Sequence, residues 1–341
     1  MPQTSARSEA LRHFAAGALA DDLMRVETAS ADASFRSYWR VTTSAGATRI
    51  VMDAPPDRED IGPWLDIGAR LRETGLHAPE VFAVDRAQGF VLMEDLGTRD
   101  YLSALNDTTV DALYADALDA LLRMQTRVNA ADLHAFDEAF LTTELELMPE
   151  WFLRRHLGHV IECDEWDEIE LAFRTLIGAA RAQPQTFMHR DYHSRNLLVA
   201  SHDNPGIIDF QGALTGPLTY DLASLLRDCY VAWDAERVEG WVEAYQVRLR
   251  HAHLIDAHVD AARFRRWFDL AGLQRHLKVL GIFCRLCYRD RKPQYLADLP
   301  LVWHYVITVA RAHHEFAALA DLLERARGGR DLTQPRDEAS A

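Results

Sequence analysis

The spacing of hydrophobic residues along the chain changes character near residue 94. Before that point apolar and polar residues follow strand-like spacing in two pairs of short segments, with a helical pattern between the pairs. The strand-like segments are 34–43, 48–53, 80–85 and 89–94, the helical segment between them is 63–74, and an opening helix is predicted at 8–20. This order differs from the alternating strands and helices of a parallel doubly wound sheet. Residues 1–94 are therefore predicted to form a small antiparallel β N-lobe.

From residue 95 onward the apolar residues recur at helical spacing, with a single interruption. The predicted helical segments are 108–128, 141–182, 218–232, 236–252, 260–288 and 299–327. The interruption at 196–210 contains two apolar runs joined through Asn-Pro-Gly, which is typical of a β-hairpin. Residues 95–327 are predicted to form a large helical C-lobe, and residues 328–341 a disordered tail. The chain is thus predicted to be an α+β protein of two lobes.

Composition and charge exclude several classes of function. The 52 acidic residues exceed the 37 basic ones, giving a net charge of −15, so a broad nucleic-acid or anionic-membrane surface is not expected. No apolar stretch is long enough to span a bilayer, and the N-terminus lacks the apolar run of a secretory signal. Four cysteines are too few for a disulfide framework in 341 residues. We expect a cytoplasmic protein with a small-molecule substrate and no protein partner.

The candidate chemistry lies in HRDYHSRN (189–196) and the IDF that follows at 208–210. Phosphoryl transfer from ATP needs positioned phosphates, Mg²⁺ and a carboxylate facing the acceptor hydroxyl. Asp191 is the candidate catalytic base, and Asn196 and Asp209 are candidate metal ligands at opposite ends of the predicted hairpin. The alternative interpretation is that Asp191 and Asn196 cap a turn and Asp209 ends a strand. The ordered set of motif, hairpin and IDF favours phosphotransfer, because spacing, order and secondary structure must all agree.

This set of motifs and the two-lobe layout resemble the aminoglycoside-phosphotransferase/choline-kinase family, which shares the protein-kinase-like fold. Unlike a protein kinase, the chain has no APE-like motif after the IDF, and GPLTYDLASLL follows almost at once. The resemblance implies structural roles near the site for His189 and for Asp221 of the TYDLA segment, which braces the catalytic loop. It also implies that backbone groups near Glu94 and Leu96 contact adenine. Arg190 is a departure, because the family often has glycine there.

A closer resemblance is to the anomeric sugar kinases of cell-wall recycling, the N-acetylmuramate/N-acetylglucosamine 1-kinases. It is carried by SADASFRSYWR (30–40), IVMDAPP (50–56), HRDYHSRNLL (189–198) and GLQRHLKVLGIF (272–283). The resemblance implies ATP- and Mg²⁺-dependent phosphorylation of the C1 hydroxyl of an amino sugar.

The N-lobe lacks the glycine-rich loop and the strand lysine expected of a kinase. In SADASFRSYWR, small residues including Ala33 and Ser34 can let the backbone approach phosphates instead. Met52 stands where the family usually places lysine, unless the strand is displaced by one or two residues and Arg49 or Arg58 takes the role.

The preferred source of the missing positive charge is Arg36. If residues 35–41 form a strand, alternation places Arg36, Tyr38 and Arg40 on one face and Phe35, Trp39 and Val41 on the other. Arg36, nearest the turn, is then predicted to bind the nucleotide.

The candidate substrate-binding residues are near the catalytic loop in sequence or on the helix at 260–288. They are His193, Gln211, Lys278 and Arg285. Lys278 and Arg285 are seven residues apart and so lie on roughly one helix face, where a basic group would suit the carboxylate of a muramic acid. A solvated helix face is the alternative interpretation for each of these charges.

Two other functions are left open by the sequence. The acidic run at 137–170 suits a polycation, so the chain can be an aminoglycoside kinase or another small amine-alcohol kinase. The absent glycine loop and lysine also suit an ATP-binding, pseudokinase-like module. Retention of Asp191, Asn196 and Asp209 argues against such a module, because binding alone does not need all three.

Overall fold

The computed structural model describes residues 2–21, 23–31 and 35–336. The chain divides into two compact units. The first contains Met1–Ala120 and Arg195–Gly212, and the second contains Leu121–Ser194 and Ala213–Ala341. The first unit is larger than the N-lobe predicted to end at residue 94, because residues 95–120 and the predicted hairpin group with the sheet.

The first unit is built on a five-stranded antiparallel sheet with the strand order β1-β2-β3-β5-β4. The strands are β1 Leu23–Ala31, β2 Ser37–Thr43, β3 Thr48–Asp53, β4 Val81–Asp85 and β5 Phe90–Glu94. The order of strand pair, helix and strand pair is confirmed, but β1 is an additional strand that the sequence pattern did not predict. Its sequence, LMRVETASA, has no regular apolar alternation, and it lies at the sheet edge, where the hydrophobic pattern is weakest.

The two faces of the sheet are covered differently. Helix α1, Pro2–Leu19, packs on one face over a core that includes Val41, Val51 and Phe90. Trp39 packs against the same core, as the predicted alternation along β2 requires. The opposite face carries Tyr38 and the residues that share its side of the sheet.

The remaining elements of the first unit are short helices and the predicted hairpin. Helix α2, Gly62–Glu73, buries Trp64, Ile67, Gly68 and Leu71, the face predicted from the sequence. Helix α3 is Tyr101–Ala104, helix α4 begins at Val110 and runs to Arg127, and the hairpin strands are β7 Leu197–Leu198 and β8 Gly206–Ile207.

The second unit is mainly helical. Its elements are α5 Glu138–Leu145, a π-helix at Met148–Leu157, α6 Cys163–Arg181, β6 Gln185–Met188, β9 Leu214–Pro217, α7 Tyr220–Leu226, α8 Ala235–His251, α9 Ala261–Tyr288, α10 Leu299–Ala312 and α11 Ala317–Arg327. Strands β6 and β9 pair antiparallel and were not predicted. Helix α9 is 28 residues long and buried around most of its circumference, which identifies it as the core helix. At Gly281 an added Cβ would come within 2.3 Å of the Leu147 carbonyl oxygen, so only glycine fits there.

The C-terminal segment corrects the prediction of a disordered tail for residues 328–336. Leu332 is 2% exposed, and its carbonyl oxygen lies 3.1 Å from Nε2 of the buried His156. The backbone N–H of Arg336 donates to the Tyr288 hydroxyl at 2.8 Å. These contacts anchor the segment on the second unit, and the single leucine that anchors it was too weak a signal to recognise in a polar sequence.

The described residues include no helix that is long and apolar enough to cross a membrane. All four cysteines are free thiols, and three of them, Cys229, Cys284 and Cys287, are buried.

Candidate active site

The first unit contains a cavity of about 500 Å³ between the sheet and the hairpin. Its lining includes the whole segment from Met93 to Thr98, which connects β5 to the rest of the chain, together with Tyr38, Arg40 and Ile50 of the sheet. Asn196, Leu198, Asp209 and Phe210 of the hairpin complete the wall. Glu94 and Leu96, whose backbone groups are predicted to contact adenine, belong to this segment, which we call the hinge. They line the same cavity as the two predicted metal ligands.

Asn196 and Asp209 meet because the hairpin brings its two ends together. Strands β7 and β8 pair Leu197 with Ile207, and the Ile208 N–H donates to the Asn196 carbonyl oxygen at 3.1 Å. The Asn196 amide Nδ2 lies 3.4 Å from the Asp209 carboxylate. The short β-ladder thus places an amide and a carboxylate side by side, as predicted from the sequence.

Phe210 fixes the backbone on which Asp209 sits. Its ring is fully buried, with its centroid 5.3 Å from that of Trp64 on α2. An added Cβ at Gly68 would lie 3.1 Å from the Phe210 ring, so the glycine gives this ring its space. Asp209 has a φ of 61°, a left-handed conformation that costs a non-glycine residue of order 1–3 kcal/mol. The packing of Phe210 against α2 stabilises this strained conformation.

Gln211 contacts Asp209, one of the two predicted metal ligands. Its Nε2 donates to Asp209 Oδ1 at 2.7 Å. Its role in binding substrate, predicted from its place after the IDF, remains a prediction.

Arg36 also lies beside Asp209. Its guanidinium is 3.8 Å from Asp209 Oδ1 and 3.6 Å from Glu59 Oε1, and its side chain is only 6% exposed. Strand β2 begins at Ser37, two residues later than the predicted strand 35–41, so Arg36 lies just before the strand. Ala33 and Ser34, also predicted to bind ATP, lie outside the described residues.

Arg49 and Arg58, the other predicted sources of the missing charge, each contact an aromatic ring. Arg49 lies with its guanidinium 4.6 Å from the ring centroid of Phe82, and Arg58 lies 5.1 Å from that of Phe35. Met52 pairs in register with Tyr38, which places it on the cavity side of the sheet, where it is fully buried.

An ion pair joins the sheet to the hinge. Arg40 donates to both carboxylate oxygens of Asp95, at 2.6 and 2.9 Å, and the Gly97 N–H donates to the same carboxylate at 3.0 Å. Burial raises the pKa of Asp95, but the hydrogen bonds from Arg40 and Gly97 outweigh it and leave the pKa below its usual value. The carboxylate stays ionised and holds the hinge against β2. On the other side, His77 Nε2 lies 3.1 Å from a carboxylate oxygen of Glu94.

In the second unit, Asp221 braces the backbone of the predicted catalytic loop, residues 189–196. Its carboxylate accepts hydrogen bonds from the backbone N–H groups of His189, at 2.6 Å, and Arg190, at 3.0 Å. Burial raises the pKa of Asp221 to about 7, against the effect of these two hydrogen bonds. This contact is the one implied by the family resemblance for the TYDLA segment.

Asp191 is held as a carboxylate by the charges around it. Desolvation raises its pKa, but Lys278, His193 and Arg190 outweigh that effect and lower the pKa to about 2. Such a carboxylate is a weak base near neutral pH. It is suited to accepting the hydrogen bond of a hydroxyl and orienting it.

Arg190, the departure from the family's glycine, has a φ of 75°. This left-handed conformation explains the glycine preference, because a side chain is strained there. The guanidinium pairs with the buried Glu144 at 2.7 Å and lies 4.9 Å from the centroid of Phe140. We infer that this ion pair offsets the backbone strain.

Glu144 is the centre of a buried polar cluster that the sequence did not single out. Besides Arg190, it accepts a hydrogen bond from Gln274 Nε2 at 3.2 Å and lies 3.6 Å from Lys278 Nζ. Lys278 donates to the Tyr220 hydroxyl at 2.9 Å. The predicted substrate residue Lys278 is thus buried and engaged within the protein. A buried glutamate within an acidic helix has no distinctive sequence pattern, so only tertiary structure reveals it.

Asp228 is a second residue that the sequence missed. Its carboxylate accepts hydrogen bonds from the backbone N–H of Ser194, at 2.9 Å, and from the Ser194 hydroxyl. The Tyr230 N–H donates to its other oxygen at 3.1 Å. Asp221 binds the start of the loop, at His189 and Arg190, and Asp228 binds its end, at Ser194. The seven-residue spacing of two aspartates across a short helix was the available signal.

Of the remaining predicted substrate residues, His193 lies close to Asp191 and Arg285 does not share that environment. The His193 ring packs edge-on against Tyr230, with centroids 5.5 Å apart. Arg285 has Arg289 and Asp290 as its charged neighbours, and lies about two helical turns beyond Lys278.

Comparison with known proteins agrees with this arrangement. The sequence profile of the phosphotransferase enzyme family (APH) matches residues 25–255, more than half of the chain. The chain belongs to this family. It is 42% identical over 301 residues to an N-acetylmuramate/N-acetylglucosamine kinase from Pseudomonas putida, a match that covers 88% of each protein. It is also 42% identical over 295 residues to the protein of that name from Pseudomonas aeruginosa, with 86% of each covered.

A solved structure shows the same fold at low sequence identity. A choline/ethanolamine kinase family protein from Mesorhizobium loti superposes with a TM-score of 0.61 and 14% identity, covering 94% of this chain and all of that one. The kinase-like α+β fold, with an antiparallel N-terminal sheet and a mostly helical remainder, is therefore confirmed.

Proposed function

We propose that this phosphotransferase is an ATP-dependent kinase that phosphorylates the anomeric (C1) hydroxyl of N-acetylmuramate, N-acetylglucosamine or both, in cytoplasmic cell-wall recycling. The observation that carries the proposal is the cavity of the first unit, where the hinge and the Asn196–Asp209 pair share one wall. A hinge backbone suits adenine, and two oxygen-bearing side chains suit the metal that accompanies its phosphates.

Asn196 and Asp209 fit a magnesium ion bound together with a nucleotide. Mg²⁺ favours one or two protein oxygen ligands, with phosphate oxygens and water completing its octahedron. Within the part of the chain that the structure describes, no group of three or more His, Cys, Asp or Glu residues could hold a metal without such help. When bound, Mg²⁺ would neutralise charge on the phosphate oxygens.

Asp191 is proposed to orient the acceptor hydroxyl. Asn196 is five positions further along the chain, so chain geometry limits their Cα separation to about 18 Å. The phosphoryl group passes from ATP to the sugar oxygen and ADP leaves, while the hydroxyl proton, hydrogen-bonded to Asp191, is released to solvent. An anomeric hydroxyl is more acidic than an ordinary alcohol, so a carboxylate with a pKa of about 2 suffices as its hydrogen-bond acceptor.

The choice of an amino sugar rests on the two relatives at 42% identity and the four sequence stretches that resemble the anomeric sugar kinases. The acidic run at 137–170, which suggested a polycationic substrate, is partly neutralised within the protein. Glu144 pairs with Arg190, and Glu165 lies 2.7 Å from His159. This internal pairing weakens the case for an aminoglycoside.

The test is ADP release with N-acetylmuramate, N-acetylglucosamine, kanamycin and choline as acceptors. We expect turnover with one or both amino sugars and a product with an acid-labile phosphate and no reducing end. Turnover with kanamycin or choline alone would contradict the proposal. ATP binding without any turnover would favour a binding module.

The Asp191→Asn variant tests the proposed role of the carboxylate. We expect it to bind ATP as the wild type does and to lose about 10²–10⁴-fold in kcat, the usual contribution of a positioned acid or base. Near-normal kcat in a folded variant would show that Asp191 does not act on the hydroxyl.

A further inference from the structure

Among the described residues that line the cavity of the first unit, there is no strand lysine paired with a helix glutamate, the two charges that most kinases place beside the phosphates. Met52 stands at the cavity side of β3, fully buried. Arg40, on the neighbouring strand, is committed to Asp95 at 2.6 Å, and Arg49 lies over Phe82. A positive charge for the phosphates can therefore come from Arg195, which also lines the cavity, or from a residue beside its wall.

Arg36 has the surroundings of that missing lysine. Its guanidinium lies between two carboxylates: Asp209, a proposed metal ligand, at 3.8 Å, and Glu59 at 3.6 Å. A kinase lysine likewise stands between the phosphates near a metal-binding aspartate and a glutamate that holds it. In other members of the family a lysine on the strand equivalent to β3 contacts the phosphates. An arginine side chain is longer than that of lysine, so Arg36 can start just before β2 and still reach the same place.

Glu59 is well placed to hold Arg36. It lies in the turn before α2, and its backbone N–H donates to the Pro55 carbonyl oxygen at 2.9 Å, as does that of Arg58. The Arg36 side chain is 6% exposed, so its charge is largely removed from water and needs counter-charges. Asp209 alone would be drawn towards a bound metal, whereas Glu59 can hold Arg36 whether or not nucleotide is present.

We propose that Arg36 and Glu59 together replace the strand lysine and helix glutamate. Arg36 supplies positive charge to the nucleotide phosphates beside Asp209, and Glu59 is the positioning residue that keeps it there. This inference rests on the proposed use of ATP, and it adds the identity of the residue pair that makes the unusual N-terminal sheet competent to bind phosphates.

The experiment measures binding of MgATP and of adenosine without any sugar, for the wild type and for Arg36→Ala, Arg36→Lys, Glu59→Gln and the Arg36→Ala/Glu59→Gln double variant. Arg36→Ala should weaken MgATP about 10- to 100-fold, the range for losing hydrogen bonds to a charged group. Arg36→Lys should recover part of that loss. Glu59→Gln should weaken MgATP less, and the double variant should be no weaker than Arg36→Ala, because Glu59 acts through Arg36.

Two controls separate a phosphate-binding role from a structural one. Adenosine has no phosphates, so its affinity should be the same in all variants. Arg58→Ala removes a neighbouring arginine that is 58% exposed and lies over Phe35, and it should leave MgATP affinity unchanged. An equal loss of adenosine affinity in Arg36→Ala, an equal effect of Arg58→Ala, or additive effects in the double variant would each overturn the proposal.

The outcome is separable from that of the proposed function. Wild-type turnover with an amino sugar, combined with unchanged MgATP affinity in Arg36→Ala, would retain the function and reject this inference. MgATP binding that depends on Arg36 and Glu59 in a protein that phosphorylates none of the four acceptors would support the inference and reject the sugar assignment.

Discussion

In the predicted catalytic loop, neighbouring charges set the pKa of Asp191, and the backbone conformation sets the strain at Arg190. Lys278 is the largest opposing influence on the desolvation of Asp191, whose pKa it helps lower to about 2. A folded-state pKa below the usual 3.8 means that Asp191 remains ionised at every pH above that range. The acid limb of the pH profile is therefore expected to include the protonation of Asp191, which Lys278, His193 and Arg190 together oppose.

Replacing Lys278 with Met should raise the pKa of Asp191, because desolvation is then opposed by fewer positive charges. We expect the acid limb of kcat/KM to move to higher pH. Arg289→Met, which removes a half-exposed charge paired with Asp290 beyond the end of α9, should leave it in place. Identical pH profiles for wild type and Lys278→Met would contradict this account of Asp191.

Arg190 offers a direct measure of backbone strain. At its φ of 75°, glycine is unstrained and alanine is not, so Arg190→Gly should be about 1 kcal/mol more stable than Arg190→Ala. Both should be less stable than wild type, because Glu144 loses its closest partner. Free energies of unfolding from urea titrations provide the measurement.

The same pair of substitutions at Arg174 is the control. Arg174 is exposed within α6, Cys163–Arg181, where glycine is about 1 kcal/mol less favourable than alanine. The order of the two variants should therefore be opposite at the two sites. The same order at both would mean that Arg190 is not strained.

At the scale of elements, α7 acts on the catalytic loop through Asp221 near its start. The folded pKa of Asp221 is about 7, above its ordinary 3.8. Its contribution to stability is therefore fully present below pH 3.8 and is lost as pH rises to about 7. At neutral pH the protein is therefore less stable by this contribution, while Asp221 fixes the backbone N–H groups of His189 and Arg190.

Asp221→Asn should remove that pH dependence and weaken the brace. We expect its free energy of unfolding to fall less between pH 4 and pH 7 than that of the wild type. Its kcat should also be lower, since an amide has only one oxygen to accept the two N–H groups. Parallel stability curves for the two proteins would show that Asp221 does not titrate as described.

The C-terminal segment is a structural element of the second unit. Leu332 is 2% exposed, so Leu332→Ala should cost about 2–4 kcal/mol, within the range for deleting a buried leucine side chain. Val160→Ala, at a site that is 75% exposed, should change stability by no more than about 0.5 kcal/mol. Equal effects of the two substitutions would indicate that the segment does not pack as described.

For the whole molecule, ligand binding should be visible as thermal stabilisation. MgADP at 100 times its Kd should add about 2.7 kcal/mol to the free energy of unfolding. Asp209→Ala should lose the part that depends on Mg²⁺ and keep the stabilisation by adenosine. Full Mg²⁺-dependent stabilisation in Asp209→Ala would remove Asp209 from the metal site.

The sequence alone determined the two-part α+β organisation, the hairpin and the meeting of Asn196 with Asp209. These features depend on local periodicity, on turn residues and on spacings of a few residues, all of which are legible along the chain. Strand β1 was not predicted, because an edge strand needs no regular apolar alternation. The tail was mistaken for disorder because one buried leucine, Leu332, anchors an otherwise polar segment.

Only the tertiary structure decided which charges act together. Arg36 was a candidate among several arginines, and its neighbour Glu59 came from a turn 23 residues away along the sequence. Glu144 and Lys278 come from helices far apart in the chain, yet their side chains lie 3.6 Å apart in the core. Coulomb interactions and desolvation depend on distance and burial, and neither quantity can be predicted from the order of residues in the sequence. The sequence therefore predicted the candidate catalytic loop, and the tertiary structure determined the electrostatic surroundings of that loop.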